Sequence, residues 1–574
     1  MGVLPVGLGD KTRMNIRETE ESNGRHPVGY PPVLIILLFF LLFVAPLGVR
    51  PIILPDEARY AEVPREMIAS GDWAVPRLNG FRYFEKPVMG YWLVAASIRL
   101  LGENEFAVRL PSAVATGISA FLLFLLVQAF VKEEWTPLVA LAAFLTSAEV
   151  YWVGTFTLLD SALSLFVTGA MVLFFFGHME TGRRKRFLFL AGAGLCCGLA
   201  FLTKGFLGFV LPVLGVAPFA LWEKRLRRTL RDSWIPAIVA LAVCLPWAIM
   251  IHGREPDFWR FFFWHEHIER FLSGSSDHGQ PFWFFFLIFP VAALPWTFLF
   301  PTAVGGLRRA GFKDPLIRFA ICWLVFPFLF FSASGGKLPT YILPCFAPAA
   351  ILLAIGIQAS FEKRRVKLFN GGALALAAMI ALGGVLVVCF QFFGYELFEP
   401  YVKPIKLSIA AAGLFMWMLL ILSSIWAKRG EKKVMLFAAA PMLFLFLSSF
   451  LLPDATLERK APGGFLLRHA GKIHPDTVIV ADEHTAAAVA WFYRRSDVYL
   501  AWPAGELTYG AGFEDSKHRV LQKGPFRQLI AEKGGKGGVV VIARTKAYSY
   551  LGKELPRPLF EARSGKSGYV FVQF

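Results

Sequence analysis

The sequence predicts a polytopic α-helical membrane protein with a small α/β domain at its carboxyl end. Of its 574 residues, 56% are hydrophobic and 17% are charged, whereas a soluble domain carries roughly 25% charged residues. Many apolar runs approach or exceed the ~18 residues that cross a bilayer. After Pro453 the pattern changes to short β-rich runs between polar stretches, which indicates a separately folded unit.

The apolar runs predict about thirteen transmembrane helices within a domain of residues 33–452. Residues 1–32 are polar and mixed in charge, and no cleavage site of small residues follows the first run, so we expect a cytoplasmic tail before an uncleaved span. The predicted spans lie near residues 33–49, 107–130, 137–156, 161–179, 187–203, 205–222, 234–251, 282–302, 315–333, 342–360, 370–392, 405–426 and 434–452.

Basic clusters predict the orientation, because Lys and Arg concentrate in cytoplasmic loops. They follow every second predicted span, at residues 183–186, 224–228, 308–313, 363–367 and 428–433. The amino terminus is then cytoplasmic and the carboxyl domain lies outside. This topology, together with attraction to anionic membrane lipids, accounts for the net charge of +18, so we expect no nucleic-acid partner.

Two outer loops, residues 50–106 and 252–281, are long enough to carry structure of their own. Residues 87–101 form a short apolar stretch interrupted by Arg99, and if they crossed the membrane every later basic cluster would move outside. We therefore predict an amphipathic helix on the membrane surface there, and another at residues 258–272.

The tail, residues 453–574, has the composition of a small α/β domain. Its β-rich runs are residues 477–481, 498–501, 538–543 and 569–573, and residues 526–533 have a helical pattern. About 120 residues suffice for one such domain. The six cysteines all lie in apolar segments, so we predict neither a disulfide framework nor a cysteine metal cluster.

Charged residues at the predicted outer ends of the spans need an explanation, because these loops should be poor in Lys and Arg. Snorkelling, or pairing with a nearby acid such as Glu57 or Glu85, could explain each cation alone. Taken together, they favour an anionic, phosphate-bearing ligand. The cations are Arg59, Arg82, Lys86, Lys204, Arg270 and Lys337.

Acidic residues occur at the same predicted face. Asp56 and Glu57 follow the first span directly, and Asp160 has almost wholly apolar neighbours, where a carboxylate is costly unless it is paired or faces water. Asp160 could instead cap a helix. Between two later spans, Lys337 and Tyr341 could both reach a phosphate oxygen, although an ordinary interhelical turn would also explain that segment.

Several of these motifs resemble one family in register. They are residues 55–62, 70–73, 78–80, 83–87, 90–92, 266–268, 270–271, 336–344 and 495–499. Over nearly its whole length the chain resembles the aminoarabinose transferases that modify lipid A. These belong to the glycosyltransferase C superfamily, which also holds protein O-mannosyltransferases. Two positions depart from the family pattern: Ala58 replaces a Thr, and Gly335 replaces a Lys.

The resemblance implies a glycosyltransferase C fold in the bacterial inner membrane, with the tail in the periplasm. It implies transfer of 4-amino-4-deoxy-L-arabinose from undecaprenyl phosphate to a lipid A phosphate, which confers resistance to cationic peptide antibiotics, by a monomer without an organic cofactor. Its implied site has Asp56 and Asp160 as catalytic residues. Phosphate-binding residues would be Arg59, Lys86, Arg270 and Tyr341, joined by Lys337, and Glu85 and His267 could bind a divalent metal ion.

The chemistry of that reaction suggests a role for Asp56. The second pKa of a phosphate monoester is about 6, so near neutral pH the acceptor is already a nucleophile. We therefore expect Asp56 to position the acceptor, the cationic sugar amine or a metal ion. Cationic groups should stabilise the departing lipid phosphate.

Three other functions remain open from the residues alone. A transporter would show internal hydropathy repeats and helices broken at the membrane midplane, whereas the polar motifs here gather in outer loops. A lipid-binding protein without catalysis is a second alternative. The third is a related transferase that uses a polyprenyl-phosphate sugar on protein or on another glycolipid, which lipid A mass spectrometry would distinguish.

Overall fold

The structure, a computed structural model, describes residues 32–574 apart from 270–278, 363–365, 394–400, 402–403, 502, 536, 553–554 and 566–567. Helices dominate as far as residue 448. Eight described helices are long and apolar enough to cross a membrane. They are Glu105–Phe130, Leu159–Met179, Arg183–Lys204, Leu226–Arg254, Pro315–Ala333, Pro339–Glu362, Val366–Phe392 and Ile405–Trp426.

Two further apolar segments are sharply bent, and counting each as one span gives up to ten spans among the described residues. Thr136–Leu145 and Ala148–Thr155 meet at 61°, and Phe284–Ala292 and Trp296–Ala310 meet at 97°. At the first bend the hydroxyls of Thr146 and Ser147 donate to the carbonyls four residues earlier, which competes with regular helix geometry.

The predicted count of thirteen is not confirmed, because three predicted spans are shorter or broken. The first and sixth contain the apolar helices Val33–Val44 and Leu207–Trp222. The last divides into Gly430–Ala439 and Met442–Ser448. Pro441 lies at that break and has no amide hydrogen with which to continue the helix.

The predicted outer loops also contain helices. Asp56–Ser70 follows the first helix, and Met89–Leu101 buries one face through Tyr91, Val94 and Ile98, the spacing expected of an amphipathic helix. Between these helices lies a two-stranded hairpin, Arg77–Leu78 with Phe81–Arg82. In the later loop, Arg260–Glu269 is π-helical.

The tail forms the predicted α/β unit around a six-stranded sheet of described strands. The first four strands in spatial order are parallel to one another, and the fifth is antiparallel to both of its neighbours. The four predicted β-rich runs all contribute strands. In spatial order the strands are Val520–Leu521, Tyr499–Ala501, Val478–Ala481, Val539–Arg544, Tyr569–Gln573 and Phe560–Arg563. Its described α-helices are Asp454–Lys460, Gly463–His469, Ala486–Tyr493, Thr508–Ala511, Lys523–Lys533 and Thr545–Leu551.

The hairpin of the first outer loop docks the tail onto the membrane domain. Asn79 has a positive φ of 54° and exchanges two hydrogen bonds with the backbone of Val498, at 2.8 and 3.1 Å. Gly80 follows it with φ +74°, and a side chain there would meet the Ser496 carbonyl at 2.6 Å. Arg82, on the same hairpin, forms ion pairs with Glu255 of the second outer loop at 2.8 Å and with Asp515 of the tail at 2.7 Å.

Candidate active site

The first helix after the membrane entry carries a paired acid and cation. Asp56 and Glu57 occupy its first turn, where carboxylates are favoured by the helix dipole. Asp56 accepts a hydrogen bond from Arg59, three residues later on the same face. The Asp56 side chain remains 47% exposed, so it can meet a ligand.

Arg59 also reaches the tail. Its guanidinium binds the carboxylate of Glu506 and lies 3.1 Å from the Tyr83 hydroxyl, which in turn donates to Glu506 at 3.2 Å. Although burial opposes the shift, the Arg59 charge and these hydrogen bonds, with Lys86 nearby, lower the pKa of Glu506. Arg59, Lys86 and Glu506 therefore belong to one cluster.

Lys86 follows the hairpin and faces its neighbour in the chain. Its ammonium donates to the Glu85 carbonyl at 2.8 Å and lies 3.9 Å from the Glu85 carboxylate. A phosphate that approaches this cluster would meet the ammonium of Lys86 and the guanidinium of Arg59 together, which suits charge-assisted recognition of an oxyanion.

Asp160 belongs to a second cluster at the mouth of the membrane helices. It is the second residue of Leu159–Met179 and pairs with Lys204, the last residue of Arg183–Lys204, at 2.6 Å. The Lys204 ammonium lies 4.7 Å from the ring centre of Tyr341, within range of a cation–π contact. Leu158, and not Asp160, is the N-cap residue of this helix, so the ion pair with Lys204, rather than capping, accounts for the position of Asp160.

Tyr60 connects the two clusters. Burial raises the pKa of its phenol well above the usual range, and the charges of Asp56 and Asp160 add to the shift, while Arg59 opposes it. The Arg59 guanidinium also lies 5.1 Å from the Tyr60 ring centre. Both carboxylates therefore lie near one phenol, and the catalytic roles of Asp56 and Asp160 that the resemblance implies stay a prediction.

Glu57, by contrast, faces away from this site. It forms two hydrogen bonds of 2.7 Å with Arg109, and both side chains are almost completely buried. Arg109 also donates to the carbonyls of Leu47, Arg50 and Pro51, at the turn that follows the first helix. Glu57 and Arg109 therefore hold the chain that presents Asp56.

Lys337 is fastened to the backbone rather than to the two clusters. Its buried ammonium donates to the carbonyls of Gln280 and Ser334, the former at 2.7 Å. It thereby ties the end of the second outer loop to the segment Pro339–Cys345, which carries Tyr341. Its predicted contact with phosphate stays a prediction.

Two predicted site residues fall outside the described residues: Arg270, and the side chain of His267. Within the described part of the chain no three His, Cys, Asp or Glu side chains come together as metal ligands. Glu85 is the one predicted metal ligand whose side chain the structure describes, and it lies beside the Lys86 ammonium. The predicted ion stays a prediction, tested by loss of transfer on chelation and its return with added divalent ion.

The arrangement can bind a phosphodiester and support its cleavage. It presents cations on three segments, with two carboxylates and several phenols between them, at the mouth of an apolar helix bundle. Such donors stabilise negative charge that develops on a leaving phosphate. The apolar helices below suit a long lipid chain.

Comparison with known proteins supports this interpretation. Residues 33–262 match the family model of dolichyl-phosphate-mannose-protein mannosyltransferases, and residues 457–572 match that of the C-terminal domain of arabinosyl transferase ArnT. The chain is 39% identical to the undecaprenyl phosphate-alpha-4-amino-4-deoxy-L-arabinose arabinosyl transferase of Shewanella sediminis, over 94% of this chain and 97% of that protein. The protein of the same name from Pectobacterium atrosepticum is 36% identical, over 89% and 92%.

This chain belongs to the aminoarabinose transferase family. The fold is shared with the crystal structure of ArnT from Cupriavidus metallidurans bound to undecaprenyl phosphate, with a TM-score of 0.80 and 23% identity over 94% of this chain and 97% of that one. The predicted family, the glycosyltransferase C fold and the multi-pass membrane architecture are thus confirmed.

Two residues of these clusters were not part of the site predicted from sequence. Lys204 was noted as an outer cation but was not assigned to the site, although its position at the end of an apolar helix was a usable signal. Glu506 lies in a polar tail, where the sequence does not distinguish it from other exposed acids. Only the tertiary fold brings it to Arg59.

Proposed function

We propose that this membrane enzyme transfers 4-amino-4-deoxy-L-arabinose from undecaprenyl phosphate to a phosphate group of lipid A. The names of its relatives supply the donor, and the cations of the site supply the chemistry. The observation that carries the proposal is that two acid–cation pairs, Asp56–Arg59 and Asp160–Lys204, lie at the ends of helices, with Tyr341 beside the second pair.

In the proposed reaction, an oxygen of the acceptor phosphate forms a bond to the anomeric carbon of the sugar. The bond from that carbon to the undecaprenyl phosphate oxygen breaks, and its electron pair leaves on the lipid phosphate. Arg59 and Lys86 stabilise this dianion, because fixed cations act most strongly where charge develops. Asp56 then orients Arg59 toward the phosphate, since the two already form an ion pair.

We also propose that the site faces the periplasm and that the amino terminus and the basic clusters face the cytoplasm of a bacterial cell. Two neighbouring helices support this orientation. Asp160 and Lys204 lie at one end of the helices Leu159–Met179 and Arg183–Lys204, and the basic run 183–186 lies at the other. Because basic residues mark the cytoplasmic side, the site end lies outside, and so does the tail that contacts it.

The test is mass spectrometry of lipid A from cells with and without this chain. We expect one aminopentose per modified phosphate, and with it resistance to cationic peptides. Asp160→Asn should abolish the addition. The matched control is Asp232→Asn, which removes an acid paired with Arg186 at the opposite end of the same helices and should leave the addition intact.

Two outcomes would contradict the proposal. Unchanged lipid A in cells that contain the folded enzyme would direct the search to protein or other glycolipid acceptors, as the mannosyltransferase family match of residues 33–262 suggests. An equal loss of modification in both variants would mean that general damage to the helices, rather than the site, explains the effect.

A further inference from the structure

A buried acid near the site has no role in the mechanism above. Glu149 lies in the first turn of helix Ala148–Thr155, directly after the 61° bend. Glu149 is only 8% exposed, and neither of its carboxyl oxygens has a hydrogen-bond partner among the described residues. A buried carboxyl without a partner destabilises a fold, so its presence calls for a function.

Glu149 is a neighbour of the Asp160 cluster. The hydroxyl of Ser161 donates to the carbonyl of Val153 at 3.1 Å, which joins the helix of Glu149 to the turn that carries Asp160. The helix of Glu149 also packs against Pro339–Cys345, the segment that carries Tyr341. This helix therefore contacts both the turn of Asp160 and the segment of Tyr341.

Charge pairing distinguishes Glu149 from the other acids of this region. Asp56 pairs with Arg59, Glu57 with Arg109, and Asp160 with Lys204. Within the described chain Glu149 has no ion pair, and the nearby Lys204 is already bound to Asp160. Glu149 therefore has no counter-charge among the described residues, and a cationic group of a ligand would supply one.

We propose that Glu149 is a specificity residue that receives the 4-ammonium group of the donor sugar. This inference rests on the proposed function, in which the donor is an amino sugar; aliphatic amines are largely protonated near neutral pH. It replaces Asp56 in that role, because Asp56 is occupied by Arg59. Since the Glu149 carboxyl is covered by protein, the ammonium loses its water as it binds, which makes the contact selective for an amine over a hydroxyl.

The test compares two donors with the purified full-length enzyme and lipid A as acceptor. One donor is undecaprenyl phosphate carrying 4-amino-4-deoxy-L-arabinose, and the other carries the same pentose with a 4-hydroxyl group. We expect the wild type to prefer the amine by roughly 10- to 100-fold in kcat/KM. Glu149→Gln should reduce that preference below about threefold by slowing only the amino donor.

The control variant is Thr168→Val, which removes another buried polar group without a described partner, deeper in helix Leu159–Met179. It should keep the wild-type preference. Undecaprenyl phosphate without sugar provides a second measurement: it should raise the thermal unfolding midpoint of Glu149→Gln as much as that of the wild type, because this ligand has no amine.

The outcomes separate the two proposals. An unchanged preference in Glu149→Gln overturns the role of Glu149, and so does a large fall in its unfolding midpoint without ligand, which would mean a structural role. If the wild type transfers neither sugar to lipid A, the proposed function fails instead.

Discussion

Asp56 and Glu57 are adjacent carboxylates for which the structure predicts opposite consequences of substitution. Glu57 and Arg109 have side chains that are 1% and 0% exposed and share two hydrogen bonds of 2.7 Å. Removing one partner of such a pair leaves a buried charge uncompensated, at a cost of about 3–5 kcal/mol. Glu57→Gln should therefore lower the free energy of unfolding by about that amount.

Asp56→Asn is the matched control on the same helix turn. Because the Asp56 side chain is 47% exposed, solvent screens its pair with Arg59, and we expect a loss of stability below about 1 kcal/mol. Transfer of the sugar should nevertheless fall, since Arg59 loses the group that orients it. Denaturation in mixed micelles measures the first quantity, and product formation from purified enzyme measures the second.

A double variant tests the origin of the effect. Glu57→Gln combined with Arg109→Gln should cost at least about 1 kcal/mol less than the two single losses added together, because the second substitution removes the stranded cation. A stable but inactive Glu57→Gln would refute the reasoning, since Glu57 would then act in the reaction rather than in the fold.

Three further predictions concern the cations and their partners. Lys204→Met should lower kcat/KM for the donor about 10- to 100-fold, because Asp160 loses its charge-assisted partner. Lys204→Arg should restore part of the activity, and full activity in the Met variant would contradict this role. Glu506→Gln should strengthen binding of undecaprenyl phosphate a few-fold, measured by the shift in unfolding midpoint, because a carboxylate that competes for Arg59 is removed; weaker binding would mean that Glu506 assists the ligand. The pKa of Glu506 is lowered in the folded enzyme. The pairing of Glu506 with Arg59 therefore stabilises the fold above the unfolded pKa of about 4.3, and this stabilisation is lost as the pH falls through the lower folded pKa. Because the Glu506 side chain is 54% exposed, the contribution should stay below about 1 kcal/mol, and it should be absent from Glu506→Gln.

Local sequence patterns sufficed for the parts of the molecule that depend on nearby residues. Apolar runs located most of the long helices, and β-rich runs in the tail located four of the six described strands. The partners of the site residues depended on tertiary folding. Glu57 was interpreted with Asp56 as an outer carboxylate, and only the packing of the Glu105–Phe130 helix against it brings Arg109 to it.

The bends show a second limit of the sequence pattern. Residues 137–156 are apolar throughout, so hydropathy predicts one continuous span, yet the hydroxyls of Thr146 and Ser147 favour a break. That break changes the direction of the chain directly before Glu149, whose helix is joined to the turn of Asp160 by the Ser161–Val153 hydrogen bond. A hydropathy profile assigns no such direction, so the neighbours of this acid could not be predicted.

The contact between Asn79 and Val498 has a consequence for how these enzymes can diverge. Asn79, at the turn of the hairpin, and Val498 of the tail are more than four hundred residues apart in the chain. Because they share two hydrogen bonds, a change in the backbone of one segment must be matched in the other. Recombination that exchanges only the tail between distant relatives should yield hybrids that lose the hydrogen bonds between Asn79 and Val498, whereas hybrids that also inherit the matching hairpin should regain function. The two segments should therefore be inherited as a unit.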